Sequence, residues 1–279
     1  MSDTRIRRRV GRILTYAFLI FGAVTALFPF YWMLSSSFKV GNDIFKYPPE
    51  LIPSRVTFDS YIYVWQTINV PRVLFNTVFV TVLTVVLNMF LSGMVSYALV
   101  KLRFPGRNAL FIVVLAFMMI PFQLLMIPLF IMINNLGMMN TYSAMILPSC
   151  LSSFSIFMLR QAMISVPDDY IEAARIDGCS HFFIYFRIVM PLITPMAVTV
   201  AMTNFFWAWN NYLWPMLVTA NNDALQTLQV AISRYRTLND TKWGPTMASC
   251  VITAAPIVIA YLFLQRQYIE STMASGVKG

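Results

Sequence analysis

The sequence predicts an all-α integral membrane protein with six transmembrane helices, from its composition, its hydropathy and the lengths of its apolar segments. Of its 279 residues, 58% are hydrophobic and only 11% are charged, whereas a soluble globular domain carries about 25% charged residues. The mean hydropathy of +0.68 exceeds what the core of a soluble domain of this length accommodates. We therefore expect a lipid bilayer to surround much of the chain.

Six apolar segments are each long enough to cross roughly 30 Å of hydrocarbon as a helix. None of them contains Asp, Glu, Lys, Arg or His. The first is too long for a signal peptide and lacks a small-residue cleavage site, so residues 13–34 are expected to remain as the first transmembrane helix. We predict a single transmembrane domain over residues 1–279. The other five segments are 75–100, 108–133, 141–159, 192–219 and 246–264.

The basic residues predict the orientation of these helices. The formal net charge is +9, and with six crossings one set of connections holds 13 Lys and Arg residues while the opposite set holds 7. Because Lys and Arg accumulate in cytoplasmic connections, both termini are predicted to be cytoplasmic. A nucleic-acid partner is not expected, since no basic stripe is interleaved with aromatic residues outside the apolar segments.

Proline interrupts several of the apolar segments. Pro121 and Pro128 lie in the third segment, Pro148 in the fourth and Pro256 in the sixth. Proline removes one backbone donor and bends a helix. Bent helices beside a transport pathway and the general tolerance of membrane helices for proline explain these positions equally well.

A short amphipathic helix is predicted in the cytoplasmic connection between the fourth and fifth segments. Ser165 and Asp168 resemble a capping pair, Pro167 suits a first turn, and Gly178 supplies a stop. On a helix of about three turns, one face would carry Tyr170, Ala173, Ala174 and Asp177. From the residues alone, this segment is either a docking helix or a solvated hairpin anchored at the membrane interface.

Six residues of this connection have a spacing that resembles the EAA loop of the integral-membrane permease subunits of bacterial ABC importers. They are Glu172, Ala173, Ala174, Gly178, Ile188 and Pro191. Met190 replaces the leucine that the family usually has before the proline, a change that conserves volume. The likeness extends over nearly the whole chain and points to the carbohydrate-uptake branch, specifically the smaller six-helix permease of the maltose-transporter type. Further support comes from Ser37-Phe38-Lys39, Asn76, Arg103-Phe104-Pro105-Gly106-Arg107 and Trp209-Asn210-Asn211-Tyr212-Leu213-Trp214-Pro215.

The resemblance implies a type I ABC importer permease fold in a bacterial inner membrane. It places an ABC transmembrane type-1 core over residues 72–266 and an EAA coupling loop over residues 165–191. The chain would form half of a translocation path for a sugar or oligosaccharide. The partners implied are a second permease subunit, a cytoplasmic ATPase dimer, an extracytoplasmic solute-binding protein, the sugar substrate and membrane lipid. The residues implied to couple to the ATPase are Tyr170, Glu172, Ala173, Ala174, Asp177 and Gly178.

Two alternatives are weighed against this function. One is a permease for a non-sugar solute such as glycerol 3-phosphate. The other is a secondary transporter, which is disfavoured because such proteins place ionisable residues within their spans to couple protons or sodium. None lies within the six segments.

No catalytic or metal-binding constellation is predicted, and no cofactor is expected. The sequence contains no Gly-x4-Gly-Lys-Ser/Thr loop for ATP phosphates. His181 is the single histidine and has no ligand partner at suitable spacing, and Cys150, Cys179 and Cys250 show no paired spacing. We therefore predict a non-catalytic subunit, with ATP hydrolysed by another chain.

An aromatic and polar run near the end of the fifth segment is a candidate for the translocation path. Sugars stack on aromatic faces and accept hydrogen bonds from amides, so this run can line a sugar path. The alternative is an interfacial aromatic belt with ordinary helix packing. The resemblance assigns most of the sugar contacts to the larger partner permease. The candidate path residues are Asn204, Trp207, Asn210 and Asn211.

Overall fold

The computed structural model describes residues 2–220, 222–233, 235 and 242–276, and its regular structure over these ranges is helical. The longest helices are α1 (Ser2–Ser37), α3 (Val70–Lys101) and α14 (Trp243–Gly276). The shorter ones are α2 (Asp59–Thr67), α4 (Arg107–Met118), α5 (Phe122–Asn135), α6 (Tyr142–Ile146), α7 (Ser153–Ile164), α8 (Asp169–Ile176), α9 (His181–Ile184), α10 (Met190–Leu192), α11 (Thr194–Trp209), α12 (Leu213–Val218) and α13 (Leu228–Ser233). A π-helical turn, Tyr185–Val189, connects α9 to α10.

The helices agree with the predicted number of spans when each bent helix pair is counted as one. Three continuous helices are long and apolar enough to cross a membrane, namely Gly11–Ser37, Val70–Lys101 and Trp243–Phe263. Three pairs meet the same criterion together, with bends of 102°, 44° and 89°. They are Arg107–Met118 with Phe122–Asn135, Tyr142–Ser149 with Ser153–Ile164, and His181–Leu192 with Thr194–Trp209.

Proline lies at or next to all three bends. Pro121 precedes α5, Pro148 lies in a 3-10 turn before α7, and Pro195 lies in the first turn of α11. Because proline has no N–H and clashes with the preceding turn, a helix breaks there readily. In contrast, Pro128 and Pro256 lie inside α5 and α14 without a break.

The fifth predicted segment, 192–219, is not one continuous helix. Helix α11 ends at Trp209, and α12 begins at Leu213. The side-chain amide of Asn210 donates a hydrogen bond of 2.9 Å to the carbonyl of Phe206. Asparagine side chains compete in this way for backbone groups and favour helix ends. The bent pair that forms this span also begins earlier than predicted, at His181.

One compact unit consists of Met1–Asn69 and Ile232–Pro256. The segment after α1 folds back on the end of that helix, because the hydroxyls of Tyr31 and Ser35 both donate to the carbonyl of Leu51, at 3.0 and 2.6 Å. The hydroxyls of Ser37 and Tyr61 lie 2.9 Å apart and connect α1 to α2. None of the most apolar 18-residue stretch of Gly11–Ser37 is buried, so its surface is available to lipid.

The other compact unit consists of Val70–Ala231 and Ile257–Gly279, and α3 packs against both α7 and α11 within it. A buried line of small polar residues, spaced by three or four, runs along α3. This polar stripe is Thr77, Thr81, Thr84, Asn88, Ser92 and Ser96. Since a bilayer offers no water to such groups, hydrogen bonds between helices satisfy several of them, including Asn88 and Ser96. Asn88 donates to the carbonyl of Ser149 (3.1 Å), and the Ser96 hydroxyl donates to the carbonyl of Ile156 (2.9 Å).

Gly93 permits a close approach between α3 and the π-helical turn. A Cβ atom added at Gly93 would overlap the hydroxyl of Tyr185 and lie 3.2 Å from the ring carbon that bears it. Tyr185 is buried and belongs to a close-packed cluster, so its ring has little room to move away.

We expect Gly93→Ala to lower the free energy of unfolding by about 1–3 kcal/mol, because it overpacks this contact. Tyr185→Phe removes the overlapping hydroxyl, so the double variant should recover part of the loss. Thermal unfolding of the purified protein measures both effects. Gly22→Ala is the control, since nothing lies within 4 Å of a Cβ at that position. Additive losses in the double variant would contradict the proposed clash.

Candidate functional site

Helix α8 is the predicted coupling helix, and its first turn is held by an ion pair to α3. The carboxylate of Asp168 accepts a hydrogen bond of 2.6 Å from the Lys101 ammonium at the end of α3. The same ammonium donates to the carbonyl of Val166, also at 2.6 Å. The Lys101 side chain is only 3% exposed. The connection that contains α8 is therefore attached directly to the end of the long helix α3.

The predicted capping pair is wrong in its details. The Asp168 side chain makes no capping bond to α8, because it is engaged by Lys101. The Ser165 hydroxyl instead donates to the carbonyl of Ala162, at 2.7 Å. Helix α8 also has 8 residues, about two turns rather than the predicted three.

Lys101 affects the protonation of Asp168. Its hydrogen bond and its positive charge lower the pKa of that carboxyl from its ordinary value. A lowered pKa means that the ion pair favours the folded state above the ordinary pKa and is lost as the pH falls through the lowered one. The contact is therefore intact throughout the neutral range.

Gly178 ends the helix as predicted. Its φ angle is +79°, a left-handed conformation that strongly favours glycine. The N–H of Cys179 donates to the carbonyl of Ala174 at 2.9 Å, and that of Gly178 to the carbonyl of Arg175 at 3.0 Å. Ser180 then caps α9 by accepting from the N–H of Phe183 at 3.3 Å.

The two faces of α8 have different surroundings. Ile171 and Ala174 are buried in a cluster with residues of α3, α7 and the π-helical turn. Of the predicted coupling residues on this helix and at its end, Tyr170, Glu172, Ala173 and Asp177 are exposed, as are the other residues of α8 apart from Ile171 and Ala174. The predicted shared face therefore holds for three of its four members, whereas Ala174 supports the helix from beneath.

One exposed residue was not predicted. Ile176 is 87% exposed at the end of α8, next to the acidic and alanine positions of the same helix. A large apolar side chain left in water marks a candidate contact surface. The sequence signal was its spacing, since its neighbours on the same helix face are Glu172 and Ala173, which are not large apolar residues.

His181 lies outside α8 and makes a local contact. Its Nδ1 atom lies 3.1 Å from the hydroxyl of Tyr97 on α3. Within the part of the chain that the structure describes, no group of three or more His, Cys, Asp or Glu residues is placed to hold a metal ion.

The side chain of Asn204, the first candidate path residue, makes hydrogen bonds to neighbouring helices. The nitrogen of its side-chain amide lies 3.1 Å from the Asn88 side-chain oxygen on α3, 2.9 Å from the Ser155 hydroxyl on α7 and 2.9 Å from the carbonyl of Val200, so its two N–H groups are shared among three acceptors. It therefore joins three helices at the middle of the polar stripe. Asn210 is similarly engaged, with Phe206 and, at 3.5 Å, with Gln229.

Trp207 and Asn211 line a small polar cavity in this unit. Its volume is about 10 Å³, measured for the centre of a water-sized sphere, which accommodates about one water molecule. The Trp207 ring is 44% exposed and meets Phe122 edge-on. The remaining lining residues are Thr77, Val80, Thr81, Thr84, Met145, Ser149, Ala208, Pro215 and Thr227.

Three hydroxyls of this cavity lack a hydrogen-bond partner among the described residues. They belong to Thr81, Ser149 and Thr227. A buried hydroxyl without a partner is costly, so these groups are suited to bind water or a substrate hydroxyl. Sequence reasoning missed them, although the regular spacing of Thr77, Thr81 and Thr84 on an apolar helix was visible.

Comparison with known proteins agrees with this arrangement. Residues 89–272 match the family described as binding-protein-dependent transport system inner membrane component. The arabinooligosaccharides transport system permease protein AraQ of Halalkalibacterium halodurans is 36% identical over 98% of this chain and 100% of its own length. The inner membrane ABC transporter permease protein YcjP of Escherichia coli is 34% identical over 98% of this chain and 99% of its own. The lactose transport system permease protein LacG of Rhizobium radiobacter is 29% identical over 98% of each chain.

A solved structure has the same fold. The crystal structure of a bacterial ABC transporter involved in the import of the acidic polysaccharide alginate superposes with a TM-score of 0.81. The superposition covers 92% of this chain and 96% of that one, at 24% identity.

The helical fold with its bent spans is the type I ABC permease fold. This chain belongs to the family of binding-protein-dependent transport system inner membrane components. It is a permease subunit of an ABC importer located in the inner membrane, and it is a non-catalytic component of that transporter.

Neighbouring alanines on α8 provide a test of its orientation. Ala174→Leu should lower the free energy of unfolding by about 1–3 kcal/mol, because it inserts three carbons into a packed cluster. Ala173→Leu makes the same change on the exposed face and should stay within about 0.5 kcal/mol of wild type. Chemical or thermal unfolding of the two purified variants measures the difference. Equal stability would contradict the assignment of the two faces.

Proposed function

We propose that this chain is the permease subunit of an ATP-driven importer for a sugar or oligosaccharide and that it forms half of the translocation path. The observation that carries this proposal is the full-length similarity to permeases named for arabinooligosaccharides and lactose. The alternative substrate is a non-sugar solute such as glycerol 3-phosphate. The transporter would further comprise a second permease, a cytoplasmic ATPase dimer and an extracytoplasmic solute-binding protein.

The coupling loop, residues 165–191, is proposed to dock on the ATPase through α8. The exposed surface formed by Tyr170, Glu172, Ala173 and Asp177 would make the contact, with Gly178 setting the end of the helix. The anchor from Lys101 to Asp168 supports this role, because a force applied to α8 is passed to α3 through a short ion pair. The buried Ile171 and Ala174 add packing to the same connection. Both termini are then cytoplasmic, in keeping with the distribution of basic residues.

The translocation surface is proposed to include Trp207 and Asn211. Both line the polar cavity, and the three unpartnered hydroxyls lie along the same lining. Asn204 and Asn210 would act indirectly, by fixing α11 and its end. Sugar hydroxyls both donate and accept hydrogen bonds, so they suit a lining of threonine, serine and asparagine.

The coupling role predicts that Glu172→Lys and Ala173→Leu reduce ATPase binding and sugar uptake about 5- to 150-fold while leaving insertion unchanged. A reversed charge or added bulk at a docked surface costs about 1–3 kcal/mol, and 1.4 kcal/mol corresponds to a factor of ten. Pull-down of the ATPase from membranes and uptake by cells measure the two effects. Asp59→Lys is the matched control, since it reverses an exposed acid on α2. Normal pull-down and uptake for both α8 variants would contradict the docking role.

The path role predicts that Trp207→Ala raises the KM for sugar uptake about three- to tenfold, as expected when an aromatic contact worth roughly 1 kcal/mol is lost. Trp207→Phe keeps a ring and should lie near wild type. Uptake of labelled arabinooligosaccharide, lactose and glycerol 3-phosphate identifies the substrate class. An unchanged KM in Trp207→Ala would remove this residue from the path, and uptake of glycerol 3-phosphate alone would favour the alternative substrate.

A further inference from the structure

Two arginines, Arg107 at the start of α4 and Arg160 near the end of α7, lie in the region where these helices pack together. The guanidinium carbon of Arg160 lies 3.8 Å from the centroid of the Phe111 ring. Its Nε atom is buried and has no hydrogen-bond partner among the described residues. The cation–π contact holds the guanidinium in place, but it does not neutralise the charge.

Arg107 lies one helical turn before Phe111 on α4, and therefore on the face of α4 that Arg160 contacts where α4 packs against α7. One of its N–H groups donates to the carbonyl of Leu102, at 3.3 Å. Neither arginine belongs to the ion pairs that join Lys46 to Glu50 and Lys101 to Asp168 in the described part of the chain. The N-terminus of α4 adds positive potential at the same place. This end of the unit is therefore a concentration of positive charge without a counter-charge of its own.

The surroundings of the arginine pair are apolar and face outward. No residue of α4 is buried within the chain, and the side chains of Leu110, Ile112 and Val113 are exposed. Phe111 and Phe157 stack with their centroids 6.4 Å apart and an angle of 8° between the rings. Charged groups at the end of an apolar, membrane-facing surface correspond to the headgroup level of a bilayer.

We propose that Arg107 and Arg160 together bind the phosphate of an anionic phospholipid, whose acyl chains lie along the exposed face of α4. Guanidinium groups bind phosphate with paired, charge-assisted hydrogen bonds. Two such groups supply the donors for one phosphate, and the negative charge of that phosphate offsets their mutual repulsion. The apolar flank favours a lipid over a free anion, because a free phosphate gains nothing from it. The site depends on the membrane location of the chain and not on the identity of the transported solute.

The test uses the purified full-length chain in a neutral detergent. Native mass spectrometry measures its binding of phosphatidylglycerol and of phosphatidylcholine with the same acyl chains. The wild-type chain should prefer phosphatidylglycerol, and Arg107→Gln and Arg160→Gln should each weaken that binding about fivefold, since one basic residue near an anionic lipid contributes about this much. The double variant should lose the preference.

Control variants separate binding from folding. Arg55→Gln removes an exposed arginine of the other unit and should bind phosphatidylglycerol as wild type does. Phe111→Leu keeps both charges and the apolar volume but removes the aromatic face, so it should weaken binding two- to threefold. If Arg160→Gln proves unstable in thermal unfolding, Arg107→Gln and Phe111→Leu still test the site.

Three outcomes overturn the proposal. The first is equal binding of the two lipids by the wild-type chain. The second is unchanged phosphatidylglycerol binding in the arginine variants. The third is displacement of the lipid by inorganic phosphate as effectively as by soluble short-chain phosphatidylglycerol, which would identify a free-phosphate site. Displacement by the short-chain lipid alone is the result expected.

Discussion

Hydrogen bonds from the polar stripe of α3 hold the larger unit together. In a membrane, the burial of apolar surface does not drive helices to associate, because lipid tails are as apolar as leucine. Asn88, Ser96 and, through Asn88, Asn204 instead bond α3 to α7 and α11. Beside the stripe, Gly93 leaves room for the Tyr185 side chain to pack closely against α3. The packing of α7 and α11 against α3 depends on these contacts, whereas proline lies at or next to the bends of the spans.

Helix α3 also supports α8, which bears the proposed coupling surface. Lys101 is the last residue of α3 and holds Val166 and Asp168, while Ile171 and Ala174 pack into a cluster that includes Tyr97 of α3. A surface helix of eight residues has little stability of its own, since short helices are marginal in water. Its attachment to a long helix gives it a fixed position. A helix that is fixed in this way is suited to the proposed docking role, because it transmits movement to α3 instead of unfolding.

Four of the buried polar groups without partners among the described residues lie at the two proposed ligand surfaces. Thr81, Ser149 and Thr227 line the cavity beside Trp207, and Arg160 lies against Phe111 near the end of α7. Elsewhere the described polar side chains of the stripe mostly find partners in neighbouring helices. Buried polar groups without partners are costly, so these two places are where a ligand would gain most from binding.

The sequence by itself determined the membrane class, the number of spans, the stop at Gly178 and the family. These properties depend on composition, segment length and local spacing, which need no knowledge of neighbours. The sequence did not determine the end of α11 at Trp209, the burial of Ala174, the engagement of Asp168 by Lys101 or the use of Asn204 in packing. Lys101 and Asp168 are 67 residues apart, and Asn88 and Asn204 are 116 apart. Helical periodicity shows which residues share a face, but only the tertiary structure decides which face meets a neighbour, because those contacts join segments that are distant in the chain.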